Sequence, residues 1–509
     1  MRRVQTLLGL LPVLALIVYY FLTTPTSGDF WWYDASRHAM NGVFLHDFLL
    51  EGGLRDPVGF ASRYYEQYPA INIGFYPPFF YVSSVPLLLL FGPSHAVSQA
   101  VVGLYALALG AVVVLLCRRI MDTVSAGAIA LALLALAPIA LWSRQVQLDV
   151  PAIAIFLFSA YALIRHLDEG GQKWLYVAAL ALGLGVLTRV QGVFMAPVWL
   201  YFIFVQNYPN RPPLGRRLLA SVLGALVALP AVAMAVYFAR VNKALATAMP
   251  DMPGLWSLDN WTWYAAQLPA QIGYPAVGFV VAGLVAAVWI GYRRQASLEL
   301  KVIAACTICA WFFFTVVSNK EPRFNLPGIV FLCLLASCAL MAIHAGIGRI
   351  VVSALAVWLI VQVLLGPPVP FVRGFERAAQ IVETIAPPLS NVLVSAHRDG
   401  NFIFDLRTQG KRRDIGVRRA DKLLVQINIM RQLGVHDPKL DQDKLLALLD
   451  KQKVGTVVLQ RDYLFDQTTI QNLYALLEQS GKYERVDVVQ LQGETKNDEQ
   501  QLIVYRRLP

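Results

Sequence analysis

Uncharged, predominantly apolar windows recur along the first part of the chain, at 4–24, 97–117, 123–142, 150–164, 174–188, 191–206, 218–239, 272–292, 302–318, 324–343 and 350–367. A helix needs roughly 17–25 mostly apolar residues to cross a bilayer, and inside the hydrocarbon only helices and closed barrels satisfy their own backbone groups. Eleven windows that meet or approach this length predict an α-helical polytopic membrane protein with about 11 transmembrane helices. The first window follows Arg2 and Arg3, as the core of a signal peptide would. Its apolar core is long, however, and the "TTPTSG" after it makes a poor cleavage site, so it reads as a span.

Charge separates this body from the C-terminal part of the chain. The 509 residues are 57% hydrophobic and 15% charged. Residues 1–369 carry 36 Asp, Glu, Lys and Arg, whereas the 140 residues from 370 onward carry 39. A membrane domain, 1–369, is therefore expected to precede a soluble domain, 370–509. The net charge of +11 forms no basic stripe, which argues against a nucleic-acid partner. Five cysteines, at 117, 306, 309, 333 and 338, all lie in apolar windows, and the soluble part has none. A disulfide framework is not expected, and Cys306 and Cys309 read as small packing residues.

Orientation follows from the turns. With the N-terminus in the cytoplasm, the inward turns hold Arg118, Arg119, Arg165, Lys173, Arg211, Arg216, Arg217, Arg293, Arg294, Lys301 and Arg349, the bias expected of cytoplasmic loops. Ten of the fourteen acidic residues of the membrane part, Asp29, Asp34, Asp149 and Glu321 among them, then face outward, as does the tail after an odd number of spans. The segment "YPPFFYVSSVPLLLLFG" (76–92) is apolar but short and starts with two prolines. Counting it as a span would turn every later basic turn outward, so it reads as a re-entrant or surface-lying helix. The first outer loop, about 24–96, is then a structured cap with an amphipathic stretch at 35–50. In the tail, strands are predicted at 391–396, 455–460, 483–489 and 501–506 and helices at 443–451 and 469–480, giving a small extracytoplasmic α/β domain. "SAHRDGNF" (395–402) gathers polar groups after the first of these strands, which loops at strand ends do routinely.

Charged groups at the rim of a membrane body need a partner or a task. Several converge on the outer face from distant parts of the chain: Asp29, Asp34, Arg37 and His38 in the first loop, Arg144 and Asp149 before the fourth span, Arg189 in "LTRVQG", and Lys320, Glu321 and Arg323 in "SNKEPRFNLP". Each alone is explained by a helix cap or half an ion pair, and Trp31, Trp32 and Tyr33 by an interfacial belt. Together they suit transfer of a sugar from a phosphate-linked lipid. A carboxylate takes the acceptor's proton while cations stabilise the charge growing on the departing phosphate, a task for which the guanidinium fork is well shaped. One base and no covalent step would invert the anomeric centre.

Four passages carry a resemblance. "PPFFYVSSVPLLLLFG" (77–92), residues 148–200 from "LDVPAIAIF" to "LTRVQGVFMAPVWL", "YDASRHAMNG" (33–42) and "SNKEPRFNLP" (318–327) resemble segments of the GT-C superfamily of lipid-linked-sugar-dependent glycosyltransferases. The likeness is to the branch with protein O-mannosyltransferases and the aminoarabinose transferases that modify lipid A, and it spans roughly 5–345. It implies a GT-C fold, a polyprenyl-phosphate sugar donor, an acceptor protein, lipid or glycan, and a bacterial or archaeal plasma membrane. By position it makes Asp34 the base, Asp149 a second catalytic carboxylate, and Arg323 with Lys320 or Arg189 the phosphate contacts. It leaves Arg37, His38, Tyr76, Arg144 and Glu321 as further substrate-binding residues. Two positions depart from the pattern. Ala35 stands where the family usually has Glu, and Tyr76 stands where some members have a charged residue. No cofactor is predicted. A divalent metal beside the carboxylates stays open, without a ligand set of definite spacing. A flippase of lipid-linked sugars and an inactive scaffold are the alternatives. The first is disfavoured because charges sit at one rim and no halves repeat, the second because Asp34, Asp149 and Arg323 are present.

Overall fold

The computed structural model describes residues 2–248, 252–427, 431–494 and 500–509, with the backbone alone at 2–8, 245, 246, 248 and 432. These residues form two compact units. One comprises Met1–Thr24, Gly74–Phe80 and Ala100–Pro368; the other comprises Pro25–Ile73, Tyr81–Gln99 and Val369–Pro509.

Each of the eleven apolar windows is helical over most of its length, and two of them are divided well inside the window. Among the described residues seven helices are long and apolar enough to cross a membrane: His95–Cys117, Asp149–Glu169, Leu214–Tyr237, Tyr274–Tyr292, Leu298–Val316, Pro322–Ile343 and Ala345–Leu365. The window at 123–142 breaks into Thr123–Leu134 and Ala137–Trp142. Pro138 has no N–H to give the carbonyl four residues back, and Leu134 O instead accepts the Tyr20 hydroxyl at 2.9 Å. The window at 191–206 changes pitch twice, from a 3-10 turn at Val190–Met195, through Ala196–Leu200 with Pro197 in its first turn, to a π turn at Tyr201–Val205. The segment at 76–92 yields a helix over Phe79–Phe91, which at ~1.5 Å per residue is too short for a ~30 Å hydrocarbon core.

Small residues set the helix contacts of the first unit. A Cβ on Gly183 would stand 2.5 Å from Gly224 O, and one on Gly224 would stand 2.6 Å from Ala179 O, so Gln172–Val186 and Leu214–Tyr237 meet backbone to backbone. Asp149–Glu169 is closed by Gly170 at φ +68 and followed at once by Gln172–Val186. That tight antiparallel hairpin returns the chain so that Arg189 comes back to the end where Asp149 begins.

The second unit contains the helices Ala35–Leu50 and Pro57–Gln67 and a mixed five-stranded sheet. Its strands are β1 (Asn391–Ser395), β2 (Gly416–Arg419), β3 (Val454–Gln460), β4 (Tyr483–Gln490) and β5 (Gln501–Arg507), in the order β2-β1-β3-β5-β4. The β1–β2 and β1–β3 pairs are parallel, and β3–β5 and β5–β4 antiparallel, with Val392 opposite Val417 and Val458 opposite Val504. Leu393, Val457 and Leu459 of the sheet pack against Leu445, Leu449, Leu473 and Leu477 of Gln442–Lys451 and Thr468–Gln479. The fold is thus α-helical with a C-terminal α/β region. Strand β2 and the helix Asp399–Thr408 lie outside the strands and helices expected from the sequence. β2 is a short edge with two arginines, and the helix starts inside the stretch read as a loop.

Candidate active site

In the first unit the end of the Asp149–Val186 hairpin gathers an acid–base group. Asp149 opens its helix, is 2% exposed and is ion-paired with Arg189. Arg189 follows Gln172–Val186 in extended backbone, which lets its side chain turn back across the hairpin. The guanidinium carbons of Arg189 and Arg323 lie 5.6 and 5.7 Å from the centroid of the Phe324 ring, and that of Arg323 is also 5.3 Å from Trp142. Arg323 Nε is 2.7 Å from Glu321 Oε1, and Arg323 Nη1 donates to Gln147 Oε1 at 3.5 Å. Burial holds the Glu321 carboxyl above its usual range. Arg323 opposes that shift, Asp149 adds to it, and Arg189 opposes it. Two guanidinium groups and two carboxylates thus occupy one partly dry region, at the N-termini of Asp149–Glu169 and Leu326–Ile343.

Neighbouring polar atoms are not all satisfied. Among the described residues, both amide atoms of fully buried Asn325 and Nε2 of Gln147, 2% exposed, have no hydrogen-bond partner. Such atoms are costly unless a ligand or water completes them. Gln147 and Asn325 were missed as site residues, although both stand in passages that point here: Gln147 is two residues before Asp149, and Asn325 lies inside "SNKEPRFNLP".

Lys320 is differently engaged. Its ammonium donates to Phe314 O, Thr315 O and Val317 O at 3.3, 2.8 and 3.2 Å, which caps the last turn of Leu298–Val316. It lies 5.3 Å from the Tyr264 ring, and burial lowers its proton affinity. All three of its N–H groups are thereby used on backbone. Arg144 faces the first helix, 4.3 Å from the Tyr20 ring and 5.6 Å from that of Tyr19. Tyr76 is half-buried and edge-on to Phe75, which packs edge-on to Phe238. Just beyond it, Phe79 N–H donates to Leu187 O at 3.1 Å, which ties the Pro77-Pro78 corner to the end of Gln172–Val186.

Asp34, Arg37 and His38 belong to the second unit. Asp34 precedes Ala35–Leu50, and its carbonyl accepts His38 N–H at 2.8 Å, while its carboxylate makes no capping bond to the helix. His38 is 2% exposed, with Nδ1 2.8 Å from the Tyr81 hydroxyl and the two rings stacked. Arg37 Nη2 donates to Asp399 Oδ1 at 3.0 Å, and Asp399 is also ion-paired with Arg419. Arg37 is therefore committed to a carboxylate of the C-terminal region. Among the described residues no three His, Cys, Asp or Glu side chains converge as a metal site.

A family model described as dolichyl-phosphate-mannose-protein mannosyltransferase matches residues 77–238, and no curated protein sequence matches the chain. Among solved structures, ArnT from Cupriavidus metallidurans bound to undecaprenyl phosphate is 16% identical with a TM-score of 0.61, over 97% of each chain. The Archaeoglobus fulgidus oligosaccharyltransferase in its apo form is 12% identical at a TM-score of 0.53, over 92% of this chain and 71% of that one. The mycobacterial arabinofuranosyltransferase AftD is 15% identical at 0.51, over 98% of this chain and 41% of that one. All three are GT-C proteins, and the GT-C fold expected from the four passages is the fold of this chain.

Proposed function

We propose that this protein is an inverting glycosyltransferase. In this reading it moves a sugar from a polyprenyl-phosphate-linked donor to a protein, lipid or glycan acceptor on the extracytoplasmic face of a plasma membrane. The observation that carries the reading is the buried Asp149–Arg189 and Glu321–Arg323 group with its unsatisfied amides. The fold is shared with a transferase crystallised with undecaprenyl phosphate. In the proposed reaction an acceptor oxygen or nitrogen attacks the anomeric carbon as the bond from that carbon to the phosphate oxygen breaks. Asp34 takes the acceptor's proton, and the electron pair leaves with the phosphate. Arg189 and Arg323 bind the phosphate oxygens, aided by two helix N-termini. Arg323 is ion-paired with Glu321, and an arriving phosphate can take that carboxylate's place beside the guanidinium while Glu321, already inclined to protonate, gives way. Lys320, spent on backbone carbonyls, supports the shape of this region. The same reading has eleven spans with a cytoplasmic N-terminus.

The test is release of free polyprenyl phosphate from a panel of hexosyl and pentosyl polyprenyl phosphates, with crude envelope extract as acceptor. Wild type should release it from at least one donor, and a folded Asp34→Asn protein should be slower by about 10²–10⁴-fold. Full turnover by Asp34→Asn would remove Asp34 as the base. No release from any donor, with a competent acceptor present, would remove the transferase reading.

A further inference from the structure

The "SAHRDGNF" stretch has no role in the reaction so far, yet four consecutive residues within it each touch the first loop. Arg398 lies over the Tyr33 ring, 4.3 Å from its centroid. Asp399 accepts from Arg37 at 3.0 Å. Gly400 leaves room for Ser36, whose hydroxyl would stand 2.4 Å from a Cβ built at that position. Asn401 bonds the backbone of Phe30 in both directions, with its Oδ1 accepting Phe30 N–H at 3.2 Å and its Nδ2 donating to Phe30 O at 3.0 Å. The contacts bracket Asp34 on both sides.

The surroundings hold this stretch rigid. Arg398, Asp399 and Asn401 are 6%, 6% and 1% exposed. Asp399 is fixed from behind by Arg419 at the end of β2, and Arg419 in turn holds Asp421 at 2.8 Å. β1 leads straight into the stretch, and Gln460 at the end of β3 accepts His397 N–H at 2.9 Å. The sheet is thus a stiff frame for three side chains and one glycine that meet a single loop segment. Asn401 supplies the reciprocal pair of hydrogen bonds that a neighbouring strand would otherwise give Phe30, a bond pattern with little tolerance for slippage.

We propose that residues 398–401 are the positioning element for Asp34. The C-terminal region, rather than only binding an acceptor or covering the site, sets the place and angle of the catalytic carboxylate through Asp399 and Asn401. The inference rests on the proposed role of Asp34, and its structural half stands without it. Asp399 and Asn401 are positioning residues, acting through the loop they hold. Displacement of a reacting group by about 1 Å costs on the order of 10²-fold in rate, so loosening this contact should fall on kcat.

The experiment uses full-length Asn401→Ala and Asp399→Asn proteins, with Asp399→Glu as the conservative rescue. Hydrogen exchange is read at residues 28–40 and, as a fold control, at β1 and β3. Expected is exchange at 28–40 about 10–100-fold faster in Asn401→Ala, from two lost buried hydrogen bonds, with β1 and β3 unchanged. Turnover should show kcat down at least about tenfold with donor KM within about threefold, and Asp399→Glu should recover most of what Asp399→Asn loses. Unchanged protection at 28–40 would overturn the proposal, as would lost protection with full kcat. If wild type turns over no donor, the functional reading falls while exchange still judges the contact. Loss of protection in β1 and β3 would show instead that these residues serve only to fold the C-terminal region.

Discussion

Asp29 and Asp405 make one pH prediction specific. Both are buried, and Asp29 Oδ2 accepts Phe375 N–H at 2.9 Å while Asp405 Oδ1 accepts from Gln409 at 3.2 Å. The remaining oxygens, Asp29 Oδ1 and Asp405 Oδ2, have no other partner among the described residues. The two carboxyls interact with one another, and a buried pair of this kind is expected to hold one proton between them. Burial pushes Asp29 up to about 6 and holds Asp405 well above its usual range, with Glu376 adding to both shifts. Both carboxyls bind protons more tightly docked than free. Their contribution to docking is therefore complete below pH ~4, the unfolded range, and is lost as pH rises through the docked values. Above about 6, while Asp405 still holds its proton, the docked pair keeps one proton that the undocked carboxyls have given up, which weakens docking by ~1.4 kcal/mol per pH unit. Hydrogen exchange of the Asp29 and Phe30 amides, corrected for intrinsic rate, should show an opening constant rising about tenfold per pH unit above 6. In Asp405→Asn the amide donates to Asp29 without a titrating proton, and the slope should flatten. Glu376, Phe375, Gln409 and His95, which holds Gly28 O at 2.7 Å, are common to both proteins, so the difference isolates the pair. Equal slopes in wild type and Asp405→Asn would refute the shared proton.

Three further outcomes are expected. Asp149→Ala strands Arg189, whose side chain is 11% exposed, and should cost roughly 3–5 kcal/mol; an unchanged thermal midpoint in detergent would contradict the buried pair. Lys320→Met should lower that midpoint, by the ~1–3 kcal/mol of stripped helix-end carbonyls, with donor KM nearly unchanged; the reverse result would return Lys320 to the phosphate. Arg323→Lys loses the planar fork that reaches Glu321 and Gln147 together, and donor KM should rise about tenfold with little change in stability.

How much of the molecule is legible in its sequence depends on range. The apolar windows are local, and their helices appear where a run of apolar residues must satisfy its own backbone. Pitch changes at Pro138 and Pro197 shorten two of them, because a proline in the run matters more than the run's length. The grouping of Asp149, Arg189, Glu321 and Arg323 was legible because each stands at the end of an apolar run. The engagement of Lys320 with carbonyls three to six residues back was not, since a basic residue near a helix end suits an anion and a cap equally well. Least legible was the partner of Arg37, because no periodicity links position 37 to Asp399, 362 residues away. Strand β2 hid for a related reason: Arg419 looks solvated until Asp399 is beside it, and Arg418 until Glu66 O and Gln452 are.

The reciprocal Asn401–Phe30 bonds span 371 residues, and that span is also an interval of time. At a synthesis rate of roughly 5–20 residues per second, the loop is made about 20–70 s before its partner. Throughout that interval Phe30, 2% exposed in the finished protein, lacks Phe404, its edge-on neighbour at 4.9 Å. The His38–Tyr81 pair, only 43 residues apart, can form early and hold Ala35–Leu50 meanwhile. Nascent chains stalled before residue 399 should therefore carry a loop that is helical but undocked, open to chaperones and proteases until the last quarter of the chain arrives.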